Sequence, residues 1–158
     1  MKEEYVNAFL TPARTVWEKE LGQSLEFVKA EAVSHQFTTE DIAAVIGVSG
    51  KLDGTVVYGF PLGTAKAIVS SMVGEEEANV RDEIGLSALG EIANMITGNA
   101  ATALAQIGYG CNISPPVIVE PAGARFTTMS GPQIMVTFNS VLGIFTVRVG
   151  LYESHRDE

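Results

Sequence analysis

The residues best placed to do chemistry are Ser87, Glu91 and Asn94, which follow one another at spacings of four and three. On an α-helix, at about 100° per residue, that spacing sets a hydroxyl, a carboxylate and an amide on one face. A carboxylate there can attract a cationic partner. An amide both donates and accepts hydrogen bonds and needs no proton on or off. The spacing alone is weak evidence, because Glu-x-x-Asn also occurs at Glu4 and Asn7. The second copy differs in its setting. A serine stands one turn earlier, a run of small residues (Gly98, Ala101, Ala105) continues the face, and an apolar stripe lies behind it.

The element that must carry these side chains is the stretch Asp82 to Ala105, DEIGLSALGEIANMITGNAATALA. It is long, free of proline and rich in Leu, Ile, Met and Ala, so a helix is expected. Leu89, Ile92, Ile96, Ala100, Ala103 and Ile107 cluster opposite Glu91 and form the expected core-facing stripe. A solvated helix face normally carries Lys, Glu and Gln. This one is flat and nearly uncharged, so a second helix or a rigid surface could come very close. Exposed polar residues often serve only to solvate a helix, and small ones often mark a contact within the chain. The residues by themselves leave those readings open.

The chain has 158 residues, 46% of them hydrophobic, which suffices for one domain with a real core. Residues 1–158 read as a single domain with sixteen glycines, a content that suggests tight turns rather than disorder. A net charge of −9 argues against a nucleic-acid backbone or an anionic membrane as partner. It leaves a basic or mixed protein surface or a small molecule, or plain solubility. A small-molecule domain would need a closed pocket that the sequence does not reveal. The single cysteine, Cys111, excludes an intramolecular disulfide framework and any multi-cysteine zinc site, and sits in a Gly-rich turn. His35 and His155 are far apart and neither has metal-ligand spacing. There is no Gly-x-Ser-x-Gly elbow and no phosphate loop ending in Gly-Lys-Ser/Thr. The start, Met-Lys-Glu-Glu-Tyr, is unlike a signal peptide, and no apolar run approaches the roughly 20 residues that span a bilayer. A cytoplasmic protein is expected.

Along the chain, residues 2–21 predict an amphipathic helix burying Val6, Phe9, Leu10, Val16, Trp17 and Leu21. Pro12 predicts a kink, or a start at Thr11, and Gly22 a stop. Strands are predicted at 25–34, 41–48 and 55–60, the last two forming a hairpin turned at Gly50 to Gly54. A short helix over 63–73 buries Ala67, Ile68, Met72 and Val73, and the acidic run Glu75 to Glu77 reads as a solvated linker. After Gly108 and Gly110, strands are predicted at 117–120, 133–139 and 145–150, with a fraying tail from Glu153. Consecutive strands with short turns give an α+β fold, an antiparallel sheet of about six strands with three main helices on one face.

The long helix and its surroundings resemble the CheC/CheX/FliY family of chemotaxis phosphatases. The family's mark is Ser or Asp, three residues, Glu, two residues, Asn, and a proline a little over twenty residues on. Here it reads Ser87, Glu91, Asn94 and Pro116, with 21 residues between the last two. Leu89 to Gly98, LGEIANMITG, is similar to the family's core helix almost letter for letter. Asn7-Ala-Phe9 is similar to its first helix, and Ile46 to Gly50 with Gly54 to Val57 to its first hairpin. One Glu/Asn site in so short a chain resembles the CheX branch rather than the two-site CheC arrangement.

The resemblance implies a CheC-like fold and a phosphatase of the phosphoaspartate of a CheY-like receiver domain. It implies that Asn94 orients the attacking water and that Glu91 anchors the partner by pairing with its cationic side chain. Ser87 is then a lesser partner contact, Pro116 shapes the rim, and Gly98 and Ala101 let the partner settle closely. No cofactor is expected on this chain, and Mg²⁺ is expected in the receiver. A homodimer is implied as well. The other expectation is a docking or dimerisation module, or a flagellar-switch component, without turnover.

Overall fold

The structure, a computed structural model, describes residues 1–38, 40–74, 79–120, 123–128 and 131–154. The acidic run Glu75 to Glu77, His155 and the rest of the charged tail to Glu158 lie outside the described residues.

The elements follow in the order α1 (Glu3–Leu21), β1 (Glu26–Val33), β2 (Gln36–Thr38), β3 (Ile42–Gly50), β4 (Leu52–Phe60), α2 (Leu62–Val73) and α3 (Glu83–Gln106). Then come β5 (Cys111–Ile113), β6 (Val117–Val119), β7 (Arg125–Thr127), β8 (Gln133–Ser140) and β9 (Gly143–Glu153). Seven strands form one antiparallel sheet in the order β1-β8-β9-β4-β3-β5, with β6 also pairing to β3. Strands β2 and β7 form a separate two-stranded ribbon. The sheet thus has one strand more than expected, because β5 and β6 share a single edge of β3 on either side of Pro115 and Pro116.

All three helices pack on one face, for a reason visible in the strand alternation. Val56, Tyr58 and Phe60 on β4, and Phe145, Val147 and Val149 on β9, are all buried, as are Val136 and Phe138 on β8. Phe145 is the aromatic centre, its ring 4.8 Å from Trp17, 5.3 Å from Phe60 and 5.9 Å from Tyr58. Burying such rings against α1 and α3 supplies the driving force for the fold.

Helix α1 runs unbroken through Pro12 and neither starts nor ends there. Proline costs about 3 kcal/mol inside a helix, but here Phe9 lies before it and Ala13, Val16 and Trp17 after it, all buried in one core. Packing on both sides outweighs the local preference. Gly22 ends the helix in the left-handed region at φ 68°. Helix α2 starts against Asp41, whose carboxylate accepts the Leu62 N–H at 2.6 Å. It buries Ile68 as expected, and Thr64, Ala65 and Val69 with it, whereas Ala67, Met72 and Val73 are only half-buried.

Three further expectations need correction. Ile107 is 50% exposed, because α3 ends at Gln106 and the cap turns it away from the stripe; Ala103 is only half-buried. Leu104 takes the last buried position. Cys111 lies in strand β5, paired opposite Gly50, rather than in a turn. Glu153 belongs to β9 and pairs with Leu52, and the Ser154 N–H donates to the Lys51 carbonyl, so the chain is held through residue 154.

Candidate active site

The site begins with a tight lead-in to α3. The Arg81 N–H donates to the Asn79 side-chain oxygen at 3.0 Å, and the Asp82 carboxylate caps the helix by accepting the Gly85 N–H at 2.7 Å. A Cβ at Gly85 would stand 2.5 Å from the Asn79 carbonyl oxygen and 2.6 Å from that of Val80. Only glycine therefore lets residues 79 and 80 press against the first turn, where Val80 is buried. This lead-in sets the rotation of α3. Farther along, the Thr97 hydroxyl donates to the Ala93 carbonyl at 2.8 Å, so the Tyr58 hydroxyl, 2.6 Å away, is the donor to Thr97. That pair ties the middle of the helix to strand β4.

With α3 so fixed, Glu83, Ser87 and Glu91 rise on successive turns, and Asn94 follows. The second wall is the broken edge strand. The Ser114 N–H donates to the Gly47 carbonyl at 2.9 Å, and the Gly47 N–H to the Ser114 hydroxyl at 2.8 Å, holding the residues just before the two prolines. Ile118 pairs with Ala44, a buried core residue, and so points to the helix side of the sheet. Gly90 is the point of contact between the walls. A Cβ there would meet the Pro116 ring at 3.4 Å and Ile118 at 3.5 Å. An ion pair between Arg81 and Glu120, 3.4 Å long, joins the lead-in of α3 to the residue just after β6.

Between these walls lies a cavity of about 450 Å³, lined by Glu83, Leu86, Ser87, Gly90, Glu91, Asn94, Pro116 and Ile118. Ser87 and Glu91 are exposed, whereas Asn94 is half-buried. Among the described residues, none of these three side chains has a hydrogen-bond or ion-pair partner, so their polar atoms are free for an incoming molecule. No cationic or thiol side chain among the described residues lines the cavity. Among the described residues, no group of three His, Cys, Asp or Glu gathers where a metal ion could be held. The half-buried Cys111 is outside the lining, and burial pushes its thiol above its usual range.

The structure therefore brings Ser87, Glu91, Asn94 and Pro116 to one cavity. Gly98 and Ala101 do not line it; they continue the same face beyond, half-buried, and a Cβ on Gly98 would meet nothing within 4 Å. Four lining residues, Glu83, Leu86, Gly90 and Ile118, were not foreseen. Glu83 carried a signal, standing one turn before Ser87 on the same face. Ile118 carried another, two residues after Pro116 in a strand. Gly90 and Leu86 depend on where β6 docks, which no local pattern reveals.

A three-helix layer on an antiparallel sheet, with a Glu/Asn groove beside a proline-broken edge strand, defines a CheC/CheX-like phosphatase fold. Residues 42–139 match the family model described as chemotaxis phosphatase CheX. The chain is 35% identical over 120 residues to the CheY-P phosphatase CheX of Thermotoga maritima, covering 76% of this chain and 77% of that protein. The chain belongs to the CheX family and is a phosphatase of that class. The crystal structure of the chemotaxis protein CheX from Vibrio vulnificus superposes with a TM-score of 0.82 at 27% identity, over 94% of this chain and 99% of that one. The CheX–CheY–BeF3–Mg²⁺ complex from Borrelia burgdorferi contains the same fold, with a TM-score of 0.72 at 22% identity, over 94% and 98%. No helix of the described residues is long and apolar enough to cross a membrane.

Proposed function

We propose that this chain hydrolyses the phosphoaspartate of a CheY-like receiver domain, with Asn94 as the catalytic residue and Glu91 as the anchor. One observation carries the reading: an amide and a carboxylate without partners among the described residues share one open cavity on a rigid helix. The curated relative from Thermotoga maritima acts on CheY-P, and the Borrelia protein was solved with CheY, BeF3 and Mg²⁺, which supports a receiver as the partner.

An acyl phosphate is already activated. Its hydrolysis needs a water held in line with the phosphorus–oxygen bond and neutralisation of the charge that develops. A new bond forms between the water oxygen and phosphorus, the bond to the aspartate carboxyl oxygen breaks, and the water's protons end on phosphate and solvent. The Mg²⁺ that neutralises the phosphoryl oxygens belongs to the receiver. Asn94 accepts from the water through its carbonyl oxygen and can donate to a phosphoryl oxygen through its NH₂. Asn94 follows Glu91 by one turn and lines the same open cavity, within reach of a partner seated on that face. Glu91 pairs with the receiver's cationic side chain beside the phosphate and so sets the depth and angle of Asn94. Ser87 is a lesser contact, Pro116 forms the rim, and Gly98 and Ala101 admit the receiver's backbone. The chain works as a homodimer, which sedimentation velocity tests.

The decisive measurement is phosphate release from a panel of phosphorylated receivers in Mg²⁺, Thermotoga maritima CheY among them. Wild-type protein accelerates release, Asn94→Ala loses most of the acceleration while keeping affinity, and Glu91→Ala weakens binding. Binding without acceleration on any receiver would make the chain a docking module instead.

A further inference from the structure

Ile84 stands on the outer face of the first turn of α3 and is 67% exposed. Its spacings to Ser87, Glu91, Asn94 and Gly98 are three, seven, ten and fourteen, so it heads the same face as the groove residues. Among the described residues, no other large exposed apolar side chain lies on this face of α3. Val117 follows Pro116 in the chain, but it pairs with Val45 while its neighbour Ile118 pairs with the core residue Ala44, so Val117 points to the opposite side of the sheet. Ile107 lies at the far end of α3, and Val141 follows directly on β8. A branched apolar side chain at a solvated helix position gains nothing for the fold, since its propensity is below that of Lys or Glu.

We propose that Ile84 is the apolar anchor by which the receiver docks, a binding residue additional to the Glu/Asn pair; this rests on the reading above. The area argument carries it. A stable interface covers about 800 Å² of each partner, a patch about 16 Å in radius. Ile84 lies about 10 Å along the helix from Glu91 and about 15 Å from Asn94, at 1.5 Å per residue, so a receiver that meets Glu91 and reaches Asn94 covers it within that radius. An apolar side chain exposed in the free protein and covered in the complex contributes to affinity through the area it buries, while exposed ion pairs contribute little and fade with salt. Glu91 thus sets orientation and Ile84 sets residence. The matching feature on the receiver is an apolar patch roughly 10 Å from the cationic side chain that Glu91 meets.

The test uses the full chain and the receiver on which wild type acts fastest, loaded with beryllofluoride and Mg²⁺ for binding and phosphorylated for turnover. Ile84→Ala and Ile84→Lys raise Kd and KM by roughly tenfold and more than tenfold, with kcat at saturation and Tm unchanged. The Ile84→Ala loss persists from low to high salt, whereas the Glu91→Ala loss shrinks. Val141→Lys, which removes a still more exposed apolar residue elsewhere, changes neither constant. If wild type hydrolyses the receiver but the Ile84 variants bind as it does, the anchor is refuted and the phosphatase reading stands. If wild type neither binds nor hydrolyses any receiver, both fail together.

Discussion

The two faces of the sheet use polar side chains in opposite ways. On the rear face, Arg148 donates to the Gln133 side-chain oxygen and to the Ser34 carbonyl, each at 3.1 Å. Its guanidinium also lies 3.7 Å from the centre of the Phe37 ring, which stacks on Phe126. Each of these contacts is internal, and together they rivet the ribbon of β2 and β7 to the sheet. On the helix side, Ser87, Glu91 and Asn94 have no such partners among the described residues. A polar group satisfied inside the chain stabilises the fold; one left open on a rigid element is available to a second molecule. The two regions should therefore respond oppositely to substitution, one in stability and the other in activity.

The largest effect separates them most sharply. Asn94→Ala is expected to slow receiver dephosphorylation by roughly a hundredfold, since a mispositioned water forfeits most of the proximity advantage. Its melting temperature should match wild type, because no internal bond is lost. Calorimetry beside a phosphate-release assay checks both halves; an Asn94→Ala protein that melts early would mean that the amide is structural. Arg148→Ala should do the reverse. Losing the hydrogen bonds and the ring contact costs about 2 kcal/mol of stability, while kcat at saturating receiver stays at the wild-type value. Urea unfolding read against turnover decides it.

How much of this was legible follows from where each determinant lies. Helix α3 could be read because its apolar stripe is local and no proline interrupts it, and the Ser87–Glu91–Asn94 face follows from its period alone. The ribbon could not. Its two strands are three residues each, too short for any alternation to register, and they exist because Phe37 stacks on Phe126 and Arg148 lies beneath. The second wall of the groove was half legible. Pro115 and Pro116 announce an interruption, but not that β5 and β6 would both pair with β3 across it. Pro12 misled about a start at Thr11 for the same reason in reverse: a local rule gave way to burial on both of its sides.

A third, smaller effect probes the joint between the faces. Tyr58→Phe removes the donor to Thr97 and should cost about 1 kcal/mol, leaving the Thr97 bond to Ala93 in place. Burial holds the Tyr58 phenol above its ordinary value, so its neutral form is favoured in the folded state. The sign follows: that contribution is complete below about pH 10, the unfolded value, and is lost as pH rises beyond it. Wild type should weaken in alkali more steeply than Tyr58→Phe, as denaturation midpoints across pH 8–11 would reveal. Equal slopes would mean that Tyr58 does not report the helix–sheet joint.

The smallest effect in energy is the most pointed about the groove face. Gly98 sits inside α3, where glycine costs about 1 kcal/mol relative to alanine, and a Cβ there would meet nothing within 4 Å. Within the chain, alanine is simply the better residue, so Gly98→Ala should raise stability by up to about 1 kcal/mol. If the receiver's backbone packs against this turn, the added methyl is in the way and KM should rise although the protein is more stable. A rise in both Tm and KM would mark Gly98 as part of the docking surface, kept bare at the fold's expense. A rise in Tm with KM unchanged would end the partner's footprint short of Gly98 and confine it to the cavity around Asn94 and the turns before it.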